Sequence, residues 1–174
     1  MTDKPEVWLR GPIDGVPPAL QPVAHALLQA LEDVERLAAN LATDEVWRKP
    51  GEAAAIGFHL RHMAGSLDRL LTYARGEALA DAQRSALRIE KEPAPDVTAA
   101  ELIDEFRSVV GAALHQLRST PPGELTGART VGRAGHPSTV LGLLYHAGEH
   151  TARHAGQLAT TVKILRSREH PPDA

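Results

Sequence analysis

The chain has 174 residues, of which 43 % are hydrophobic, and this is enough for one domain with a buried core. Only 3 % of the residues are aromatic and the net charge is −3, so the composition lacks the rings and the basic excess that nucleic-acid binding requires. The chain has no cysteine, which excludes disulfides, thiolate metal sites and a cysteine nucleophile. Because it also has neither an apolar run of about 18 residues nor a signal-peptide core, we expect a cytoplasmic protein with no membrane partner.

Four segments carry apolar residues at the spacing of an amphipathic helix. The Pro50–Gly51 pair separates the first two segments, and Gly76 is a typical C-cap for the second. The third segment opens with the capping-box sequence TAAE at Thr98–Glu101, and the fourth has Ser138 as its expected N-cap. The predicted helices cover residues 18–42, 52–75, 98–118 and 138–166.

Four such helices without strand signals predict an all-α fold, a four-helix bundle. The short link between the first two helices favours antiparallel neighbours. Residues 76–97 form a much longer link that can run the length of the bundle, which favours a parallel second and third helix unless a short helix forms inside it. Residues 119–137 are expected to cap one end. We expect residues 17–168 to form a single domain, with an irregular arm at 1–16 and a loose tail at 169–174.

Three histidines lie four residues apart on the fourth predicted helix, in the sequence YHAGEHTARHAGQL. Positions four apart drift by only about 40° around a helix, so His146, His150 and His154 form a nearly straight row. His154 falls in the middle of the apolar face, His150 falls within it, and His146 lies on its rim. Side chains at this spacing can bind one cation from the same side, and imidazole is a suitable ligand for Zn²⁺, Ni²⁺, Cu²⁺ and Fe²⁺.

A third ligand from another helix is needed for a stable site, and the second predicted helix offers His59 and His62. The helical wheel places His59 nearer the apolar centre and His62 nearer the edge, but the spacing does not decide between them. The competing interpretation is a core without metal, in which these imidazoles are hydrogen-bonded to neighbouring groups.

The sequences FHLRHMAGSLDRLL in the second helix and HTARHAGQL in the fourth resemble the DinB/YfiT-like metalloenzyme superfamily. The resemblance covers residues 18–166 in element order and spacing, and RHAGQL is its most specific part. It implies a four-helix bundle that holds a divalent metal through His62, His150 and His154. It favours His62 over His59 because an aspartate follows His62 six residues on, as in the family pattern.

Four further residues are candidates for touching the ligands or lining a pocket. His59 and His146 are candidates because they neighbour the implied ligands, and Gln157 could orient a ligand imidazole. His25, at the start of the first helix, could reach the pocket from there.

Three neutral ligands leave coordination positions open, so such a site can polarise a carbonyl, activate water or bind a thiolate. The family includes S-transferases and isomerases that use low-molecular-weight thiols. The resemblance therefore implies a transferase or isomerase dependent on a divalent metal, Zn or Ni, with a small-molecule substrate, a thiol co-substrate and a homodimeric assembly. The alternative is a non-catalytic bundle that binds a metal or small ligand, or a dimerisation module. No catalytic base stands out.

Overall fold

The computed structural model describes residues 4–169. It contains six α-helices, one two-stranded antiparallel sheet and three short 3₁₀ segments within this range. The helices are α1 (Gln21–Ala38), α2 (Thr43–Trp47), α3 (Ile56–Ala74), α4 (Asp81–Ile89), α5 (Ala99–Ser119) and α6 (Val140–Glu169). The strands are β1 (Ala128–Val131) and β2 (His136–Thr139), and the 3₁₀ segments are Val7–Arg10, Pro18–Leu20 and Pro122–Glu124.

The four predicted helices are present as α1, α3, α5 and α6, and they share one hydrophobic core. A fully buried side chain from each helix lies in this core: Leu27 of α1, Leu60 of α3, Phe106 of α5 and Leu158 of α6. Both α1 and α3 pack against α5 and α6, so α1 and α3 lie diagonally across the bundle rather than side by side. The sequence-based expectation that they are direct neighbours is therefore wrong, although the prediction of a four-helix bundle is confirmed.

The second and third long helices, α3 and α5, run parallel, as the length of the link between them predicts. Near their carboxyl ends, Gln116 of α5 donates to the carbonyl of Leu71 in α3 at 3.1 Å. Near their amino ends, the indole of Trp47 lies against Gly57 of α3 and donates to the carbonyl of Val97, just before α5, at 3.0 Å. Contacts that join like ends of both helices require a parallel pair.

The link between α3 and α5 contains a short helix, α4, yet this helix does not prevent the parallel arrangement. Gln83 of α4 donates to the carboxylate of Asp68 at 2.7 Å and to the hydroxyl of Thr72 at 2.8 Å, both on α3. These two hydrogen bonds hold α4 against the outside of the bundle. The segment from 76 to 98, called the crossover below, is therefore an ordered part of the fold.

The β-hairpin before α6 is a feature that the sequence analysis missed. Ala128 pairs with Thr139 and Val131 with His136, and the turn between the strands contains Gly132 and Gly135, both at positive φ (68° and 63°). Strands of four residues are too short to show a reliable alternating pattern. The assignment of Ser138 as N-cap is also wrong: Ser138 lies in β2, and the hydroxyl of Thr139 accepts a hydrogen bond from the amide of Gly142 at 3.0 Å.

At the amino terminus, the 3₁₀ segment Val7–Arg10 packs on α1, where Arg10 forms a bidentate ion pair with Glu32 at 2.6 and 2.7 Å. At the other end, α6 continues to Glu169, and residues 170–174 of the predicted tail lie outside the described residues. Among residues 4–169, none of the helices combines the length and apolar character needed to cross a bilayer.

Candidate metal centre

Two antiparallel helices, α3 and α6, bring two pairs of histidines face to face inside the bundle. His62 of α3 lies opposite His150 of α6, with 2.8 Å between their Nε2 atoms. One turn away, His59 lies opposite His154, with 3.1 Å between their Nδ1 atoms. The pairing follows from the antiparallel register, because moving toward the amino end of one helix means moving toward the carboxyl end of the other.

The three histidines that the resemblance implies as ligands lie together. One ring nitrogen from each of His62, His150 and His154 lies within 4.8 Å of the other two. The ring centroids of His62 and His154 are 4.4 Å apart, and those of His150 and His154 are 4.6 Å apart. We call this group the histidine cluster. All three rings are partly buried, so the cluster lies at the edge of the core rather than in its centre.

The cluster has a buried carboxylate that sequence reasoning missed. Glu90, at the carboxyl end of α4, is only 4 % exposed and lies 2.8 Å from Nδ1 of His62. Its other oxygen accepts a hydrogen bond from Arg69 of α3 at 2.9 Å. Burial by itself would raise the pKa of Glu90, but the hydrogen bond from His62 and the charge of Arg69 together hold this pKa below its ordinary value. The partners are 28 and 21 positions away, so no local pattern marks Glu90.

His59 is more deeply buried than His62, as the helical wheel predicts. His59 is 4 % exposed, whereas the side chain of His62 is 19 % exposed. Phe58, which the sequence analysis did not single out, stacks on the ring of His62 at 5.3 Å and meets the ring of His154 edge-on at 6.4 Å. His59 and Phe58 therefore pack around the cluster and support its rings.

Three imidazoles of the site, those of His59, His150 and His154, are held in their neutral form. Burial, and then repulsion from the neighbouring imidazoles, lowers the pKa of His59, His150 and His154 to about 4. A neutral imidazole has a lone pair on one ring nitrogen, which is the form that binds a metal. At neutral pH, metal binding does not have to compete with a proton at His150 or His154.

The other candidates from the sequence lie at different distances from the cluster. The ring of His146 lies near that of His150, with centroids 5.3 Å apart and the rings tilted by 42°, but the His146 side chain is 50 % exposed. Gln157 is exposed and lines a cavity beside His154. His25 bonds to the carbonyl of Gly11 in the amino-terminal arm at 3.0 Å and lines a separate surface cavity between this arm and α1.

A cavity of about 390 Å³ opens beside the cluster, and His59 and His154 are among the residues that line it. Such a volume is in the range of small-molecule sites. Apart from the two imidazoles, the lining is mostly apolar, with a few amide and hydroxyl groups: Ala53, Ala54, Phe58, Gln157, Thr160, Thr161 and Ile164. His154 is the member of the histidine cluster that lines this cavity.

The donor set of the cluster suits a divalent metal ion. Three imidazole nitrogens converge, and imidazole is a common ligand of Zn²⁺ and Ni²⁺. Nδ1 of His150 is buried and has no hydrogen-bond partner among the described residues, a cost that a protein core usually avoids. The contact of Glu90 with His62 is the type of carboxylate–histidine contact that accompanies many metal sites.

Fold and site together define a class of protein: a four-helix bundle with a candidate metal centre between two facing helices. The family model described as the DinB superfamily matches residues 26–158. The chain therefore belongs to the DinB superfamily, as its histidine motifs indicate.

Two solved structures share the fold. A conserved protein from Enterococcus faecalis is 18 % identical, with a TM-score of 0.66, and the alignment covers 84 % of this chain and 96 % of that one. A DinB-like protein from Bacillus cereus ATCC 10987 is 16 % identical, with a TM-score of 0.60, and the alignment covers 85 % and 95 % of the two chains. No curated protein matches the sequence.

Proposed function

We propose that this protein binds a divalent metal ion through His62, His150 and His154 and uses it as an enzyme on a small molecule. The observation that carries the proposal is the convergence of three imidazoles from α3 and α6 on one point. The ligand group contains no fourth member within residues 4–169. A structural zinc site is normally closed by four protein ligands, whereas an open position is typical of catalytic sites.

The cavity beside His154 supports a catalytic role over a purely structural one. A metal ion in the cluster would supply a Lewis acid that can polarise a carbonyl or lower the pKa of a bound water or thiol. The protein's own contribution is to hold the ligand rings and to bind the substrate next to them. Phe58 and Ile164 offer apolar contact area on the cavity wall, and the amide of Gln157 offers hydrogen bonds.

Within this class, we propose a transferase or isomerase that uses a low-molecular-weight thiol, with Zn or Ni as the metal. The proposal rests on the family resemblance together with the open ligand set. The chain has no cysteine, so the thiol must be a co-substrate rather than part of the protein.

Metal analysis of protein purified without a histidine tag tests the site. We expect about one ion per chain in the wild type, because three imidazoles from two helices form a single site. His62→Ala should lose the ion, whereas His59→Ala should retain most of it. His136→Ala, which removes an exposed imidazole in β2, is the matched control. A metal-free wild type refutes the site, and loss in His59→Ala with retention in His62→Ala reassigns the ligand.

An activity assay then separates catalysis from binding. Metal-loaded protein is incubated with a small thiol and a reactive electrophile, and the conversion of the electrophile is followed together with the loss of the thiol, because a transferase consumes both whereas an isomerase returns the thiol. We expect turnover that requires the metal and is lost in His150→Ala. Stoichiometric metal without turnover across a panel of thiols and electrophiles would favour the non-catalytic binding bundle.

A further inference from the structure

A chain of buried polar groups connects the histidine cluster to the crossover. It runs from the guanidinium of Arg69 through the two carboxylate oxygens of Glu90 to Nδ1 of His62, with contacts of 2.9 and 2.8 Å. Arg69 is 8 % exposed and Glu90 is 4 % exposed, so water does not readily replace either contact. Buried charges need hydrogen-bonding partners of this kind, and each carboxylate oxygen of Glu90 has one.

The surroundings hold Glu90 in this place from two sides. On α3, Gly65 leaves the space that the pair occupies: a Cβ atom there would lie 2.8 Å from both Nη1 of Arg69 and Oε1 of Glu90. Arg61, which is also on α3, donates to the carbonyl of Glu92 on the crossover at 2.9 Å and fixes the backbone just after Glu90. The carboxylate of Glu90 therefore belongs to a buried, hydrogen-bonded arrangement and not to a mobile surface side chain.

The donor and acceptor roles of Arg69, Glu90 and His62 follow from the chemistry of their side chains. An arginine only donates hydrogen bonds, and an ionised carboxylate only accepts them. Both oxygens of Glu90 must therefore accept, so Nδ1 of His62 must carry the hydrogen. In a neutral imidazole, the other nitrogen, Nε2, then has the lone pair, and it faces Nε2 of His150 at 2.8 Å.

We propose that Glu90 is a positioning residue, which fixes His62 in its Nδ1–H tautomer and so presents the Nε2 lone pair to the histidine cluster. As a statement about metal binding, this inference rests on the proposed function. As a statement about the tautomer of His62, it stands on Glu90, Arg69 and His62 alone. The carboxylate that contacts His62 thus comes from the crossover rather than from one of the four long helices.

Glu90→Gln is the sharpest variant, because it keeps the shape and changes the hydrogen-bond roles. A glutamine side chain has one accepting oxygen and one donating NH₂ group. Arg69 can only donate, so the oxygen must face Arg69 and the NH₂ group must face Nδ1 of His62. His62 then has to accept at Nδ1, which moves its hydrogen to Nε2 and removes the lone pair from the cluster.

The first measurement is the tautomer of His62 in metal-free protein, read from long-range ¹H–¹⁵N correlations of the imidazole. It is made near pH 8.5, about two units above the ordinary imidazole pKa. We expect Nδ1–H in the wild type and Nε2–H in Glu90→Gln. An Nε2–H or doubly protonated ring in the wild type overturns the proposal, and so does one tautomer in both proteins. The wild-type spectrum alone decides the matter if the variant does not fold.

The second measurement is Zn²⁺ affinity, determined by competition with a chromophoric chelator. We expect Glu90→Gln to bind Zn²⁺ about 10–100-fold more weakly than the wild type. Gln83→Ala is the matched control: it removes the hydrogen bonds that hold α4 on Asp68 and Thr72 but leaves the contact with His62. Equal losses in both variants would mean that Glu90 only anchors the crossover, which overturns the positioning role.

The two measurements also distinguish the two proposals. If the wild type binds no Zn²⁺ but shows the expected tautomers, the proposed function fails and the role of Glu90 in orienting His62 stands. If Zn²⁺ binds and the tautomers are unchanged by Glu90→Gln, the metal site stands and the positioning role fails.

Discussion

Gly65→Ala is the substitution whose effect can be worked out most fully from the structure. Gly65 lies inside α3, where its missing side chain leaves room for the buried pair of Arg69 and Glu90. A new Cβ atom would lie 2.8 Å from an atom of each partner, whereas ordinary van der Waals contact begins at 3.4 Å. Each of these atoms must therefore retreat by about 0.6 Å, the difference between 3.4 and 2.8 Å.

Two opposing effects set the magnitude. Alanine is favoured over glycine inside a helix by about 1 kcal/mol. Overpacking a buried site costs about 1–3 kcal/mol, and complete rupture of a buried ion pair costs about 3–5 kcal/mol. Because the displaced atoms belong to such a pair, we expect a cost near the upper end of the overpacking range, about 3 kcal/mol. The free energy of unfolding should then fall by about 2 kcal/mol, after the gain in helix propensity of about 1 kcal/mol is subtracted.

The assay is urea unfolding followed by circular dichroism, with Gly111→Ala as the control. Gly111 is an exposed residue inside α5, and a Cβ atom there would meet nothing within 4 Å. This variant should gain up to about 1 kcal/mol from helix propensity, so the two variants should differ by about 3 kcal/mol. If Gly65→Ala is as stable as Gly111→Ala, the ion pair does not fill the space beside α3 and the reasoning about Glu90 is wrong.

Three other predictions concern the frame around the site. Thr98→Ala should lower the free energy of unfolding by about 1 kcal/mol, because the Thr98 hydroxyl caps α5, and Thr98→Ser should retain most of the stability. Gly57→Ala should displace the indole of Trp47, which a Cβ atom would approach to 2.8 Å; a shift in the tryptophan emission spectrum tests this, and an unchanged spectrum would contradict it. The hydrogen bond from Arg10 lowers the pKa of Glu32, so the pair stabilises the fold above the ordinary carboxyl pKa, and this contribution is lost as the pH falls through the lowered pKa. Proteolysis of the amino-terminal arm should therefore accelerate in acid, and Arg10→Ala should weaken this pH dependence, because only the longer contact of Lys4 with Glu32 at 3.3 Å then remains.

Features that repeat along one helix were accessible to sequence reasoning. The row of His150 and His154 follows from a spacing of four, and the capping box at Thr98 was confirmed with its reciprocal hydrogen bonds to Glu101. The greater burial of His59 relative to His62 likewise follows from the helical wheel. Each of these depends on the regular geometry of a single helix, which the sequence specifies locally.

Features that join distant parts of the chain were not accessible in this way. The wheel alone could not choose between His59 and His62, because the ring that meets His150 is selected by the antiparallel register of α3 and α6. No sequence pattern marked Glu90 as a buried residue. It follows α4 directly, and α4 is a short helix without any buried residue.

The sequence by itself therefore determined the helices, their apolar faces and the histidines they carry, because helical periodicity is a local property with a fixed angle per residue. Only the tertiary structure decided which imidazoles face one another and which carboxylate supports them. Those choices depend on how α3 and α6 slide past each other and on where the crossover returns to the bundle. Both are set by the packing of the whole core. The contacts concerned join residues that are 88 and 28 positions apart, so no periodic pattern in the sequence predicts them.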